Sequence, residues 1–294
     1  MSETTPQRPF LAGLWMLGAL LCLCGMTVAG RELSDELTAF QIAFTRSGVC
    51  LAVLLTILMM IGFRRIRTEK IKLHLGRNIL HFGAQTSWLY GIAILPLAEV
   101  FAIEFTAPIW TAVLAALLLK ERLSRTRIVG ISLGFIGILI ILRPGAEAVH
   151  PASLVVLMSA VGFASTYVFT RYMSNTESPL TVIFYMNLIQ LPLGLVFSLA
   201  DWALPSATMA PWVLLIGVSG LGSHFCFAHA FRLAEATFVT PLDFIRLPLI
   251  AVIGFFLYQE PWDLMILIGG AVIFSGNLIN LWGERLIRRH TSDI

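Results

Sequence analysis

Two carboxylates stand out in this chain because of where they lie: Glu104 and Asp243 sit in the middle of apolar runs, and each precedes a phenylalanine, Phe105 or Phe244. An ionised side chain near the centre of a bilayer costs about 2.5–3.5 kcal/mol on insertion scales, so such a group calls for a partner, water or a function. In one reading the pair faces a cavity and binds a cationic group or carries a coupling proton. In the other, Asp243 lies one helical turn from Arg246 and simply neutralises it. A second set, His81, Gln85 and Trp88, follows i, i+4, i+7 spacing and forms one polar and aromatic stripe on a helix. The stripe could hydrogen-bond and stack a planar substrate, with His81 titrating near neutrality; alternatively His81 lies at the mouth of the span and caps a helix. Tyr90 and Trp110, with Trp15 and Tyr185, are candidate stacking residues, although interface belts and packing claim most membrane aromatics.

Other polar positions carry weaker signals. His224 and His229 are five residues apart, so they do not share a helical face and make a poor metal pair. His224 is kept as a candidate cavity residue against the alternative of a satisfied core histidine. Arg46, within a span, calls for a carboxylate or carbonyl partner. Asn187 with Gln190, and Asn277 with Asn280, are i, i+3 pairs suited to interhelical hydrogen bonds. Pro108, Pro241 and Pro248 interrupt two apolar runs and are candidate hinges, because a freed carbonyl is tolerated only where it meets water or protein. No phosphate-binding G-x-x-x-x-G-K-[ST] loop, H-E-x-x-H or G-x-S-x-G occurs, so the chain is not read as an enzyme and no cofactor or metal is expected. Cys22, Cys24, Cys50 and Cys226 read as small apolar packing residues.

The elements that must position these groups follow from composition. Of 294 residues 57% are apolar and only 13% charged, against roughly 45–50% and about 25% in soluble domains. A soluble globule would expose that surplus to water, and a net charge of +3 is too small for a nucleic-acid-binding chain. Apolar runs at 9–29, 38–62, 74–94, 97–119, 127–143, 152–172, 179–199, 211–231, 236–257 and 264–283 predict ten transmembrane helices. The first run could pass for a cleavable signal, but nine further spans follow and it is read as an uncleaved helix. With the N-terminus inside, 16 of the 20 Lys and Arg residues fall in inner segments and only Arg31 and Arg143 in outer ones. That bias predicts an inner (plasma) membrane protein with both termini cytoplasmic.

The chain also repeats itself. At an offset of 139, Phe105 matches Phe244, Ala112-Val113 matches Ala251-Val252, and Glu121 matches Glu260. Gly130 then meets Gly269, Phe135 meets Phe274, and Gly137 meets Gly276; upstream, Leu97-Ala98-Glu99 matches Leu233-Ala234-Glu235 at an offset of 136. The two units are 1–146 and 147–294. Five spans per unit is odd, so the second must enter the membrane from the opposite face, which is the arrangement of secondary transporters with a site near the midplane. The expected fold is all-α: ten helices as two inverted five-helix repeats around a central cavity.

The Leu97-Ala98-Glu99, Pro108 and Lys120-Glu121-Arg122 stretch, its glycine-rich following helix and the echo ending at Glu260 resemble the paired EamA repeats of the drug/metabolite transporter superfamily. The likeness covers essentially the whole chain, with Pro261 standing where the first repeat has Arg122. It implies a ten-helix carrier of small metabolites whose halves rock about a cavity formed mainly by the first, third, fourth, sixth, eighth and ninth helices. The expected activity is secondary or facilitative transport of a small polar or amphipathic metabolite by alternating access, of amino-acid or amine type with export favoured. Import of a planar vitamin such as riboflavin is the alternative that some relatives imply, and a non-transporting membrane scaffold is the rival of another class. Expected partners are the substrate, membrane lipid and a proton as coupling ion, with no nucleic acid; the chain is a monomer or a homodimer. Glycines on helices five and ten, Gly130, Gly134, Gly137, Gly269, Gly270 and Gly276, permit close helix contact or a dimer seam.

Overall fold

The computed structural model describes residues 8–118, 125–143, 149–173 and 176–292, and Lys120-Glu121-Arg122 lies outside the described residues. The regular elements are helical: α1 (Pro9–Leu33), α2 (Ala39–Ile61), α3 (Ile71–Ile94), α4 (Leu97–Glu104), α5 (Ala107–Leu118), α6 (Arg125–Leu142), α7 (Pro151–Met173), α8 (Pro179–Ser198), α9 (Ala210–Leu233), α10 (Ala236–Asp243), α11 (Arg246–Tyr258) and α12 (Leu264–Ser292). Local chemistry sets several ends. Pro9, Pro151, Pro179 and Pro211 stand in first turns, where a missing N–H costs nothing. Thr38 and Gln41 cap α2 reciprocally, the Gln41 amide reaching Thr38 Oγ1 at 3.3 Å. Gly62, at φ 89°, ends α2 in a conformation that side chains rarely adopt.

Nine spans among the described residues are long and apolar enough to cross a membrane; α4 with α5 forms one of them, and α10 with α11 another. The tenth expected span, α3, is 24 residues long but more polar, because it carries His74, Arg77, Asn78, His81 and Gln85. Those groups point inward: His74 and Asn78 are fully buried, Arg77 and Gln85 nearly so. The outward faces are the reverse. Leu17, Met60, Val196 and Phe256 are exposed on helix surfaces, as expected where the surrounding medium is hydrocarbon and only the interior can satisfy polar atoms.

The element order recurs along the chain, with the fourth span of five broken in each half. The closest helix pairs are α1 with α9, α3 with α7, α2 with α8 and α6 with α12. The last pair uses the predicted glycines. A Cβ on Gly130 would stand 2.8 Å from the Gly276 carbonyl oxygen, and one on Gly137 would stand 2.8 Å from that of Gly269. Gly130, Gly137, Gly269 and Gly276 are thus taken up by packing α6 on α12, whereas Gly134 faces Ile109 of α5 and Gly270 faces Leu247 of α11. Gly137→Leu should lower the thermal unfolding midpoint in detergent, at a cost of about 1–3 kcal/mol for overpacking. Gly76→Ala, where nothing lies within 4 Å of the added carbon, should cause no loss.

Candidate functional site

The two broken spans meet at the centre of the molecule. α4 stops at Glu104 and α5 resumes at Ala107; α10 stops at Asp243 and α11 resumes at Arg246. Each gap begins with the phenylalanine noted in the sequence, and Phe105 and Phe244 stack with ring centroids 4.4 Å apart and planes at 21°. Breaking a helix inside a membrane frees backbone groups that must find partners. The Phe105 carbonyl accepts from Asn277 Nδ2 of α12 at 3.0 Å, and Thr106 Oγ1 donates to the Ile103 carbonyl at 2.7 Å. Pro108 and Pro248 fall in the first turns of α5 and α11, where the N–H groups lack helical acceptors in any case. Pro241 sits in the last turn of α10.

The helix ends at these gaps hold the charges. Arg246 Nη2 donates to Glu104 Oε1 at 3.1 Å and to Asp243 Oδ2 at 3.2 Å, so one guanidinium joins both predicted acids. Its carbon lies over the rings of Phe101 at 4.9 Å and Phe105 at 5.0 Å, within cation–π range. Trp88 Nε1 donates to Glu104 Oε2 at 2.8 Å. Asp243 therefore does neutralise Arg246, as one reading of the sequence has it. Glu104 does so as well, so two acids share one guanidinium, a formal charge of −1 when both are ionised. Asp243 Oδ1 and Arg246 Nε are buried without hydrogen-bond partners. Tyr167 of α7 lies within electrostatic range of all three charged groups. With Pro108, Thr111, Ala112, Ala115, Arg127, Arg171 and Asn280, it lines a cavity of about 210 Å³ beside α5.

A second polar cluster sits further along α3. Arg46 of α2 is buried, and its Nη2 donates to the amide oxygens of Gln85 at 2.8 Å and Gln190 at 3.0 Å. Gln190 Nε2 is 2.8 Å from His81 Nδ1, so His81 and Gln85 of the predicted stripe belong to this cluster while Trp88 belongs to the acidic one. His224 of α9 is partly buried and within electrostatic range of Arg46 and Arg77. Arg77, also buried, donates to Thr170 Oγ1 at 2.7 Å and Asn78 Oδ1 at 2.6 Å. Sequence reasoning flagged Arg46 and Gln190 separately and did not single out Tyr167 as a cavity residue. Arg46 meets Gln190 across 144 positions and Gln85 across 39, and no local pattern announces either contact.

Two expected residues lie elsewhere. Tyr90 is 45% exposed; two positions on from Trp88, it is turned by about 200° on the helix and faces outward. Trp110 packs edge-on against Phe135 of α6 and donates to Thr106 Oγ1. The cavity face of α5 is the one carrying Pro108, Thr111, Ala112 and Ala115. His229 stacks on Trp15 at 4.5 Å, away from His224, and no cluster of metal-binding side chains occurs among the described residues.

One end of the bundle is tied shut by side chains. Arg31 of α1 donates to the Ile92 and Leu95 carbonyls at the end of α3 and pairs with Glu260 at 3.0 Å. Glu260 also accepts the Leu97 amide at 2.8 Å, which caps α4. Burial pushes the Glu260 carboxyl up, while the Leu97 amide and Arg31 pull it back down. Tyr258 Oη donates to Glu32 at 2.9 Å and Ser153 Oγ to Glu99 at 2.6 Å, joining α11, α1, α4 and α7.

The sequence model of the EamA-like transporter family matches residues 10–143 and again 150–282. The chain belongs to the EamA-like transporter family. It is a multi-pass membrane protein of the drug/metabolite transporter superfamily and a transporter, not an enzyme. It is 27% identical over 288 residues to an S-adenosylmethionine uptake transporter of Rickettsia felis, covering 97% of this chain and 98% of that one. It is 30% identical to a riboflavin transporter of Vibrio cholerae, covering 96% and 97%. A solved crystal structure superposes with a TM-score of 0.65 at 16% identity, over 94% of this chain and 98% of that one, which supports the fold. Within this family member, Arg246 is the counter-ion that holds two acids. Arg246→Met should cost about 3–5 kcal/mol, the typical penalty for orphaning a buried charge. Adding Asp243→Asn to that variant should recover part of the loss, read as the thermal unfolding midpoint in detergent.

Proposed function

We propose that the chain is an uptake transporter of the inner membrane. It moves a small metabolite that carries a cationic group, of the S-adenosylmethionine or amino-acid kind, by alternating access between two inverted five-helix halves, 1–146 and 147–294. The observation that carries this reading is the excess of acids in the Glu104, Asp243 and Arg246 cluster, two carboxyls on one guanidinium with Asp243 Oδ1 unpartnered, where the two broken spans meet. A cation docked there completes the charge balance, and a guanidinium already shared between two acids can shift between them as the helix halves move. Pro108, Pro241 and Pro248 flank the gaps and serve as hinges. The names of the S-adenosylmethionine relatives favour uptake over the export expected from the sequence. The Lys and Arg bias supports cytoplasmic termini; in that orientation the Arg31–Glu260 end faces outward and is closed, and the cavity beside α5 opens toward the inside.

The test is flux into proteoliposomes containing the purified chain. Wild type should accumulate radiolabelled S-adenosylmethionine, and Glu104→Gln should cut its rate at least tenfold, since the neutral amide removes the acid's charge while its one carbonyl oxygen keeps an acceptor for either Trp88 or Arg246. Unchanged flux in that variant would remove Glu104 from substrate binding. A planar vitamin is the second reading, favoured by the riboflavin relatives and by Trp88 at the acidic cluster. Riboflavin flux insensitive to Glu104→Gln, with no S-adenosylmethionine flux, would select it. Glu260→Ala removes both the Arg31 partner and the cap on Leu97. A cysteine placed at Val100, fully buried in the closed state, should then react several-fold faster with a membrane-impermeant maleimide added outside.

A further inference from the structure

Arg46 is a cation inside a membrane protein with no carboxylate beside it among the described residues. It is 4% exposed, its Nε is buried without a hydrogen-bond partner, and its two acceptors are the neutral amide oxygens of Gln85 and Gln190. Amides orient a guanidinium without balancing its charge. The cluster is built from four helices: Arg46 on α2, Gln85 and His81 on α3, Gln190 on α8, and Gly220 on α9. A Cβ at Gly220 would stand 3.2 Å from Arg46 Nη1, so the glycine leaves that nitrogen uncrowded. Arg77, whose partners among the described residues are a hydroxyl and an amide oxygen, adds positive potential from the same helix as Gln85. Leaving a guanidinium uncompensated at this depth is costly; with both Nη2 hydrogens spent on the two amides, the uncrowded Nη1 is the donor left to take a carboxylate in a charge-assisted hydrogen bond.

The place of Arg46 relative to the acids gives this a direction. Gln85, which holds Arg46, and Trp88, which holds Glu104, are three residues apart on one face of α3, so the two side chains that anchor the clusters leave that helix about 4.5 Å apart along its axis. One is short of a negative charge and the other short of a positive one.

We infer that Arg46, held by Gln85 and Gln190, is the carboxylate-recognition residue of the transport cavity, and that the substrate is a zwitterion whose carboxylate docks on Arg46 while its cationic group docks at Glu104 and Asp243. The inference deepens the proposed uptake of a cationic metabolite and rests on it for the identity of the cationic partner, but not for the anion site itself.

Two measurements separate the two claims. In proteoliposomes, S-adenosylmethionine should compete for its own uptake at least tenfold better than its decarboxylated form, which keeps the sulfonium and ammonium but lacks the carboxylate. Arg46→Gln should abolish that preference, and Arg46→Lys should retain part of it. Gln190→Glu guards against misfolding as the explanation: it supplies an internal counter-ion at the same position, so it should raise the unfolding midpoint in detergent and yet abolish the preference. Discrimination equal to wild type in Arg46→Gln or Gln190→Glu overturns the inference while leaving the uptake reading in place. The second measurement is stabilisation of detergent-solubilised protein by glycine and by acetate, expected for wild type and lost in both variants. If wild type carries no S-adenosylmethionine but shows that Arg46-dependent stabilisation, the substrate reading falls and the anion site stands. If stabilisation is absent in wild type, or persists in Arg46→Gln, the anion site falls.

Discussion

In a hydrocarbon slab a backbone carbonyl or a charged side chain has no water to turn to, and every other feature of this molecule follows from how that demand is met where two spanning helices are broken. The gaps after Glu104 and Asp243 release carbonyls and leave helix ends facing one another. Asn277 takes the Phe105 carbonyl, the Phe105–Phe244 stack closes the space between the gaps, and Arg246 ties the two acids together. Without that set of contacts the breaks would be untenable; with it, polar atoms can be placed at mid-depth and aimed at a cavity.

Around this centre the protein is organised in the reverse sense to a soluble one. Its apolar surplus lies on outward faces, and its polar residues are drawn inward into two clusters that share α3. That explains why α3 is the least apolar of the expected spans: its polarity is internal, distributed between Arg46 through Gln85 and Glu104 through Trp88. The glycine-lined contact of α6 and α12 supplies rigidity beside the cavity, because backbones in direct contact leave no room for adjustment. The Arg31–Glu260 tie, by contrast, is a handful of polar contacts near one end, with an acid that burial pushes toward its proton. A rigid seam and a breakable tie are what a carrier that changes shape requires.

Family membership and transport rest on the double match to the family and on relatives that align over nearly their full length. Those relatives are named for chemically different cargoes, so family membership alone does not choose among them. The arrangement of charged side chains at the broken spans and on α2 is the feature that can, because a sulfonium, an ammonium, a carboxylate and a neutral flavin ring make different electrostatic demands on the same side chains.

The sequence alone determined the spans and which two of them are interrupted; the breaks themselves fall at Phe105-Thr106 and Phe244-Ile245, beside the prolines and not at them. Twenty apolar residues are needed to cross a bilayer whatever their neighbours do, so the ten runs could be read directly, and the helices fall within a few residues of them except α12, which runs on nine residues past its apolar stretch to Ser292. Glu104, Asp243, Trp88, His81 and Gln85 were conspicuous because a polar group in such a run is costly wherever it points. Which groups touch was another matter. That Arg246 bridges both acids, that Trp88 and Gln85 serve different clusters, that Arg46 meets Gln190 across 144 positions, and that Tyr90 and Trp110 turn away were decided by tertiary structure. The physical reason is that cost depends on depth, which a linear pattern records, whereas partnership depends on the rotation and packing of separate helices, which it does not.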